Sequence, residues 1–302
     1  MHRRQFLVAG AALLLAACAS TPDNPAPSSR PPATPVPPPA PDAPPSPPPK
    51  VRVALALGGG AAKGFAHVGV IKVLESHGIR PDIITGTSAG AVVGSLYAAG
   101  YSGIQLQNMA LALDPASISD LVLGDGGFVK GEKLERYINQ QVRNLPIEKL
   151  TRPFGAVATD LANGNRVVFR RGNTGQAVRA SAAVPAVFEP VLIQGRKYVD
   201  GGLVSPVPVN AAREMGADIV IAVDISTKPN AKGGGSVLGA LDQTLNIMGQ
   251  KLGQAELQHA TVVIRPDISR IGSTDFAQKN QAILEGEKAA QAALPAIQRA
   301  LK

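Results

Sequence analysis

Beyond residue 50 the chain alternates short apolar runs with segments of helical periodicity. The apolar runs predict strands at residues 51–57, 81–85, 154–159, 166–169, 218–223 and 261–264, and the runs 187–193 and 197–199 flank a predicted turn at 194–196. The periodic segments predict helices over 64–76, 91–99, 104–113 and 132–142, from near 209, and on both sides of the last strand. Strands alternating with helices favour a three-layer α/β/α domain with a mostly parallel central sheet.

The N-terminal segment has the pattern of an export signal. Arg3 and Arg4 precede an apolar run over 6–17, which is too short to span the roughly 30 Å of a bilayer as a helix. The run ends in Leu-Ala-Ala-Cys at 15–18, which is similar to a bacterial lipobox. We therefore expect residues 1–17 to be a signal peptide and Cys18 to be lipidated. Both the general and the twin-arginine export routes fit Arg3 and Arg4, and Ala19 favours the periplasmic face of the outer membrane.

Residues 18–50 predict a tether. They contain 15 of the chain's 26 prolines and almost nothing apolar enough to be buried, which is typical of an extended spacer, although a tail without a function fits equally well. Residues 51–302 are long enough for one large domain. Because Cys18 is the only cysteine, that domain contains no intramolecular disulfide.

The charge of the chain bears on two classes of partner, phospholipid surfaces and nucleic acids. The formal net charge is +8, and it falls to about +6 when the two charges of Arg3 and Arg4 leave with the signal peptide. This surplus favours anionic phospholipid surfaces, and ordinary solubility explains it equally well. Dispersed basic residues and the absence of tryptophan argue against nucleic-acid binding. No calcium-type carboxylate loop is evident, and we expect neither a metal nor a cofactor.

A serine in a strand-turn-helix context is the first candidate for chemistry. The pentapeptide from Gly86 to Gly90 matches G-x-S-x-G and places Ser88 between a predicted strand and a predicted helix. Glycines on both sides of such a turn leave room for the neighbouring strand and helix. We interpret Ser88 as a nucleophile at a helix N-terminus, and the alternative is a serine that only caps the helix.

Three glycines after the first strand, Gly58, Gly59 and Gly60, fail both nucleotide-binding motifs. Phe65 stands where a Walker loop needs lysine, and Lys63 stands where the dinucleotide motif needs glycine. Beside a nucleophilic serine, their backbone N–H groups predict an oxyanion hole, against the alternative of a plain tight turn. Lys63 either assists anion binding or is solvated.

The residue that activates the serine is not decided by position alone. The only histidine after Ser88 is His259, which precedes the last strand and so belongs at the opposite edge of the sheet, while His67 and His77 are expected to serve packing or capping. Aspartates follow three predicted strands, namely Asp160, Asp200 and Asp224. The glycines at 201 and 202 distinguish Asp200, because they allow a close approach to another loop. A Ser-His-Asp esterase using Asp224 and His259 is the competing arrangement.

Taken together, these blocks resemble the patatin-like phospholipases, especially bacterial members related to neuropathy target esterase. The matching segments are 57–64, 66–70, 86–90, 179–185 and 200–202. The resemblance implies a Ser88/Asp200 dyad in which Asp200 is the general base, an oxyanion hole at 58–60, and hydrolysis of phospholipids, lysophospholipids or simple esters without a metal. Lys63 departs from the arginine that is usual in the family. A non-catalytic envelope lipoprotein that binds lipid or a protein partner is the alternative. Residues 110–128 are either a mobile cover or a connecting loop.

Overall fold

The computed structural model describes residues 50–118, 130–226 and 237–302. The chain divides into two units, Met1–Pro48 and Pro49–Lys302, and all described residues belong to the second. The predicted signal peptide, Cys18 and nearly all of the predicted tether lie outside the described residues. So do residues 119–128 of the segment interpreted as a cover or a loop.

The strands of the described residues form a single sheet. They are β1 (Val53–Leu57), β2 (Ile83–Thr87), β3 (Phe154–Asp160), β4 (Arg166–Phe169), β5 (Val191–Ile193), β6 (Arg196–Asp200), β7 (Ile219–Val223) and β8 (Val262–Ile264). Their order is β5-β6-β3-β2-β1-β7-β8, with β4 also paired to β3. The five strands β3, β2, β1, β7 and β8 are mutually parallel, whereas β4, β5 and β6 pair antiparallel. The loops after β3 and β5 are too short for a parallel crossover, so each forms a hairpin.

Eight α-helices accompany these strands in the described ranges. They are α1 (Phe65–Ser76), α2 (Ala89–Ala98), α3 (Gly103–Ala112), α4 (Glu132–Gln141), α5 (Thr174–Ser181), α6 (Val209–Glu214), α7 (Val237–Leu257) and α8 (Lys279–Ala300). The sequence pattern did not predict α5, which begins after Asn173, whose side chain accepts a 2.8 Å hydrogen bond from the N–H of Gln176. None of the described helices is long and apolar enough to cross a membrane.

The central strand β1 separates two cores. Its side chains alternate between faces, as the twofold repeat of a strand requires. Leu55 and Leu57 pack in the larger core with α1, α2 and α8, whereas Ala54 and Ala56 pack in the smaller core with α6 and the end of α7. Helices therefore cover both faces of a mostly parallel sheet, which confirms the predicted three-layer architecture.

One edge of β3 is shared by two strands whose ends meet. Strand β4 pairs with one edge of β3, and β2 and β6 both pair with the opposite edge of β3. The parallel strand β2 ends with Thr87 opposite Val157, and the antiparallel strand β6 ends with Asp200 opposite Ala158. The C-terminal ends of β2 and β6 thus face each other one residue step apart on β3, and Ser88 follows directly from the first of them.

Candidate active site

Ser88 occupies the turn between β2 and α2 in a strained backbone conformation. Its φ of 53° and ψ of −120° lie in a region that costs a non-glycine residue on the order of 1–3 kcal/mol. The surroundings hold it there, because the Ser88 N–H donates to Oγ of Ser181 at 2.9 Å, and that hydroxyl donates to the carbonyl of Val157. The carbonyl of Ser88 accepts from the N–H of Ala91 at 2.8 Å, the first hydrogen bond of the helix. The serine side chain is therefore presented at the N-terminus of α2.

The glycines on either side of this turn are required by close backbone contacts. A Cβ atom on Gly86 would lie 2.3 Å from the carbonyl oxygen of Gly90, and one on Gly90 would lie 2.0 Å from the carbonyl oxygen of Leu57. Both distances are far inside van der Waals contact. The G-x-S-x-G pattern thus reflects the packing of α2 against the ends of β1 and β2.

Asp200 faces Ser88 from the end of β6. It is only 6% exposed, its Oδ1 accepts from the N–H of Gly202 at 2.6 Å, and it lines the same cavity as Ser88. Burial raises the pKa of Asp200 to about 6, against the lowering effects of the Gly202 N–H and of the Ser88 side chain. The backbone of Asp200 is fixed as well, since its N–H donates to Ala183 and its carbonyl accepts from Oγ1 of Thr159.

Ser88 and Asp200 both line a cavity of about 170 Å³. The glycine loop forms one wall, and α7 contributes Gly249 and Gln250 from another. Apolar side chains complete the lining, among them Val184, Leu203 and Ile225. A small pocket that contains a serine and a buried carboxyl group and has apolar walls suits a substrate with an acyl chain.

The backbone N–H groups of the glycine loop differ in their hydrogen bonds. The N–H of Gly58 donates to the carbonyl of Val223 at 3.0 Å, and that of Gly59 donates to the carbonyl of Pro206 at 2.9 Å. Both donors thus already have an acceptor within the protein, and their role in an oxyanion hole stays a prediction. Among the described residues, no acceptor is found for the N–H groups of Gly60 and Ala61, which both line the cavity. Gly60 stays a predicted donor, and Ala61 is a candidate that the sequence pattern missed.

Lys63 lies in the same wall and is not solvated, in contrast to one of its two predicted roles. Its side chain is 3% exposed, and Nζ donates to Oγ of Ser273 at 3.3 Å. The N–H of Ala62 donates to the carbonyl of Ser273 at 3.0 Å. The loop after β8 thus supports the end of the glycine loop, and Lys63 borders the cavity.

The remaining candidate residues are engaged elsewhere. Asp160 pairs with Arg196 at 2.6 Å, and Asp224 pairs with Arg265 at 3.3 Å. His259 is exposed, lies just before β8, and its Nδ1 is 2.6 Å from Oδ1 of Asn210. That end of β8 is opposite to the edge that carries Ser88, which argues against the Ser-His-Asp arrangement. The described residues contain no group of three or more His, Cys, Asp or Glu that could hold a metal ion.

A buried network that the sequence did not indicate connects α7 to both strand ends. Oγ of Ser205 donates to the carboxyl group of Glu256 at 2.8 and 2.9 Å, and the Ser205 carbonyl accepts from Oγ1 of Thr87 at 2.8 Å. The N–H of Ser205 donates to Gly201 at 2.9 Å. Burial raises the pKa of Glu256 to about 7, against the lowering effect of the Ser205 hydrogen bond. Ser205 therefore contacts the residues adjacent to Ser88 and Asp200 in sequence.

The fold and this site define a class of protein. Residues 55–213 match the family model described as patatin-like phospholipase, which covers more than half of the chain. The chain belongs to the patatin-like phospholipase family, which confirms the resemblance seen in the sequence.

Particular relatives make the connection closer. An uncharacterised NTE family protein of Mycobacterium tuberculosis is 40% identical over 178 residues, covering 58% of this chain and 49% of the relative. A second, from Mycobacterium bovis, is 30% identical over 273 residues, covering 81% and 46%. Patatin-like phospholipase domain-containing protein 6 of Mus musculus is 33% identical over 186 residues, covering 58% and 14%. The chain thus spans about half the length of the mycobacterial relatives.

A solved structure supports the fold. The crystal structure of VipD from Legionella pneumophila superposes with a TM-score of 0.55 at 15% identity, covering 82% of this chain and 67% of that one. At this identity the similarity concerns the fold alone.

Proposed function

We propose that this chain is a serine acyl hydrolase that cleaves lipid esters, as a phospholipase A or a lysophospholipase, with Ser88 as nucleophile and Asp200 as general base. The observation that carries the proposal is that Ser88, in its strained turn at the N-terminus of α2, and the buried Asp200 carboxyl group line the same cavity with apolar walls. The Ser88 side chain lowers the pKa of that carboxyl group, which supports their proximity. Membership of the patatin-like phospholipase family supports the substrate class.

In the first half of the reaction, the Asp200 carboxylate accepts the proton of the Ser88 hydroxyl while Oγ bonds to the ester carbonyl carbon. The carbonyl oxygen becomes an oxyanion, which the N–H groups of Gly60 and Ala61 and the N-terminus of α2 stabilise. Asp200 then returns the proton to the leaving alcohol oxygen as the C–O bond breaks. The product alcohol departs, and the acyl group stays on Ser88.

Water completes the cycle by the same route in reverse. Asp200 accepts a proton from the attacking water, the oxyanion forms again, and its collapse expels Oγ of Ser88, which takes the proton back. A base with a pKa of about 6 suits this work, because it is mostly ionised at neutral pH and still accepts a proton readily.

The first experiment is labelling with a fluorophosphonate probe, combined with release of fatty acid from phospholipid and lysophospholipid. We expect labelling at Ser88 in the wild type and none in Ser88→Ala. Ser95→Ala is the matched control, because Ser95 lies in the same helix and its Oγ bonds only to the carbonyl of Val92. A folded wild type that is neither labelled nor active on either lipid would refute the proposal and leave a lipid-binding or scaffolding role.

We also propose that Cys18 anchors the protein in the bacterial cell envelope, at the periplasmic face of the outer membrane. The lipobox-like residues 15–18 and the proline-rich segment after them support this. The test is the mass of the N-terminal peptide of the mature protein and its partition between membrane and aqueous fractions. Cys18→Ser should abolish the lipid mass and the membrane association, and a wild-type peptide without lipid would contradict the anchor.

A further inference from the structure

His67 makes a contact that its expected packing role does not explain. It is the third residue of α1 and is 0% exposed, and its Nε2 lies 2.8 Å from the carbonyl oxygen of Gly58. Because a carbonyl oxygen only accepts, Nε2 must carry the ring proton. Burial lowers the pKa of His67 to about 4, so the ring is neutral at ordinary pH. Nδ1 has no hydrogen-bond partner in the part of the chain that the structure describes.

The contact holds one peptide of the glycine loop from one side. The carbonyl of Gly58 accepts from His67, and the N–H of Gly59 in the same peptide donates to the carbonyl of Pro206. Consecutive glycines have soft torsions, so the orientation of their peptide planes depends on bonds from outside the loop. The next N–H groups along the chain belong to Gly60 and Ala61, two residues that line the cavity, and neither N–H has a protein acceptor among the described residues.

We propose that His67 is a positioning residue that fixes the Gly58–Gly59 peptide and thereby aims the oxyanion donors of Gly60 and Ala61 at the carbon attacked by Ser88. This inference rests on the proposed hydrolase function. It assigns His67 no proton transfer and no contact with the substrate.

Packing alone does not call for histidine at this position. A buried ring nitrogen without a partner is costly, and an apolar side chain such as leucine would fill similar space without it. What leucine lacks is the donor to Gly58. Histidine at this position thus leaves Nδ1 without a partner among the described residues, and in return its Nε2 donates a hydrogen bond to the Gly58 carbonyl.

The test compares His67→Leu, which removes the donor, with His67→Gln, whose amide nitrogen can replace Nε2. We expect His67→Leu to lower kcat about 10- to 100-fold, less than the 10²- to 10³-fold loss of a donor itself, with KM changed by less than about threefold. Labelling by a fluorophosphonate, whose adduct carries the oxyanion, should slow by a similar factor. His67→Gln should recover most of both rates, and His77→Gln, at the exposed histidine that caps the C-terminus of the same helix, should change neither.

The outcomes separate this inference from the proposed function. A folded His67→Leu variant with wild-type kcat overturns the role of His67 while the hydrolase stands. If His67→Leu does not fold, His67→Asn is compared with His67→Gln, because asparagine is too short to reach the Gly58 carbonyl, and equal kcat values for the two overturn the role. An unlabelled, inactive wild type overturns the hydrolase and this role together.

Discussion

Replacing Asp200 by asparagine should abolish activity and stabilise the fold, and the second effect should depend on pH. Asparagine has the same shape, and its Oδ1 can still accept from the N–H of Gly202. What it removes is the ionisable group. As general base, Asp200 should contribute about 10²- to 10⁴-fold to kcat, and the variant should lose at least that much.

The size of the stability effect follows from the pKa. Burial raises the pKa of Asp200 from the usual 3.8 to about 6. Below pH 3.8 the carboxyl group is protonated in both states, and its stabilising contribution is fully present. As pH rises through 6 the folded protein must ionise a buried group, so that contribution is lost. A shift of about two units corresponds to roughly 3 kcal/mol. Asp200→Asn should therefore gain about 3 kcal/mol on the wild type between pH 3 and pH 8.

Urea unfolding of both proteins at several pH values measures this difference directly, with kcat determined on the same samples. Asp160→Asn is the matched control, because Asp160 is another buried aspartate at the end of a neighbouring strand, with an ion pair to Arg196. That control should lose stability and keep kcat within a few-fold. A stability difference between Asp200→Asn and the wild type that does not change with pH would refute the assigned pKa, and an active Asp200→Asn would refute the role of base.

Three further results are expected. The wild-type kcat/KM should rise with pH through about 6, as Asp200 ionises, and a profile flat from pH 5 to 8 would contradict this. Gly90→Ala should unfold the domain or lower its free energy of unfolding by several kcal/mol in thermal denaturation, because the new Cβ would lie 2.0 Å from the Leu57 carbonyl oxygen. The control Gly272→Ala should be neutral, because its Cβ would meet nothing closer than 3.7 Å. Burial raises the pKa of Glu256 to about 7, so the contribution of its protonated form to stability is lost as pH rises through 7. Glu256→Gln should therefore gain stability relative to the wild type from pH 5 to pH 8 in the same urea assay. A difference that stays constant with pH would contradict this.

Local patterns were sufficient for the elements that carry the nucleophile. The apolar run before Ser88 and the glycines around it predicted strand, turn and helix, because those requirements act within a few residues. Helix α5 was missed because its stability does not come from its local sequence. It begins with Thr174 and Gly175, which are weak helix formers, and its stability comes from packing against α4 and β3.

The partner of Ser88 could not be derived from local pattern. Asp160, Asp200 and Asp224 all follow apolar runs. The glycines at 201 and 202 favoured Asp200, and the resemblance to a known family implied its role as base. Which aspartate meets the serine depends on which strand shares the edge of β3, and that pairing joins residues far apart in sequence. The glycine loop shows the same limit, because the carbonyl of Val223 that takes the Gly58 N–H lies more than a hundred residues away.

The meeting of β2 and β6 on one edge of β3 makes the separation of Ser88 and Asp200 a property of strand register. A shift of β6 along β3 by two residues keeps the same side chains on the same face of the sheet. Such a shift would move Asp200 by about 7 Å along the sheet and out of reach of the serine. Movement of surface loops leaves this distance unchanged. Ester hydrolysis in this protein should then serve as an internal reporter of sheet assembly, returning during refolding only when the β5–β6 hairpin has joined β3 in its native alignment.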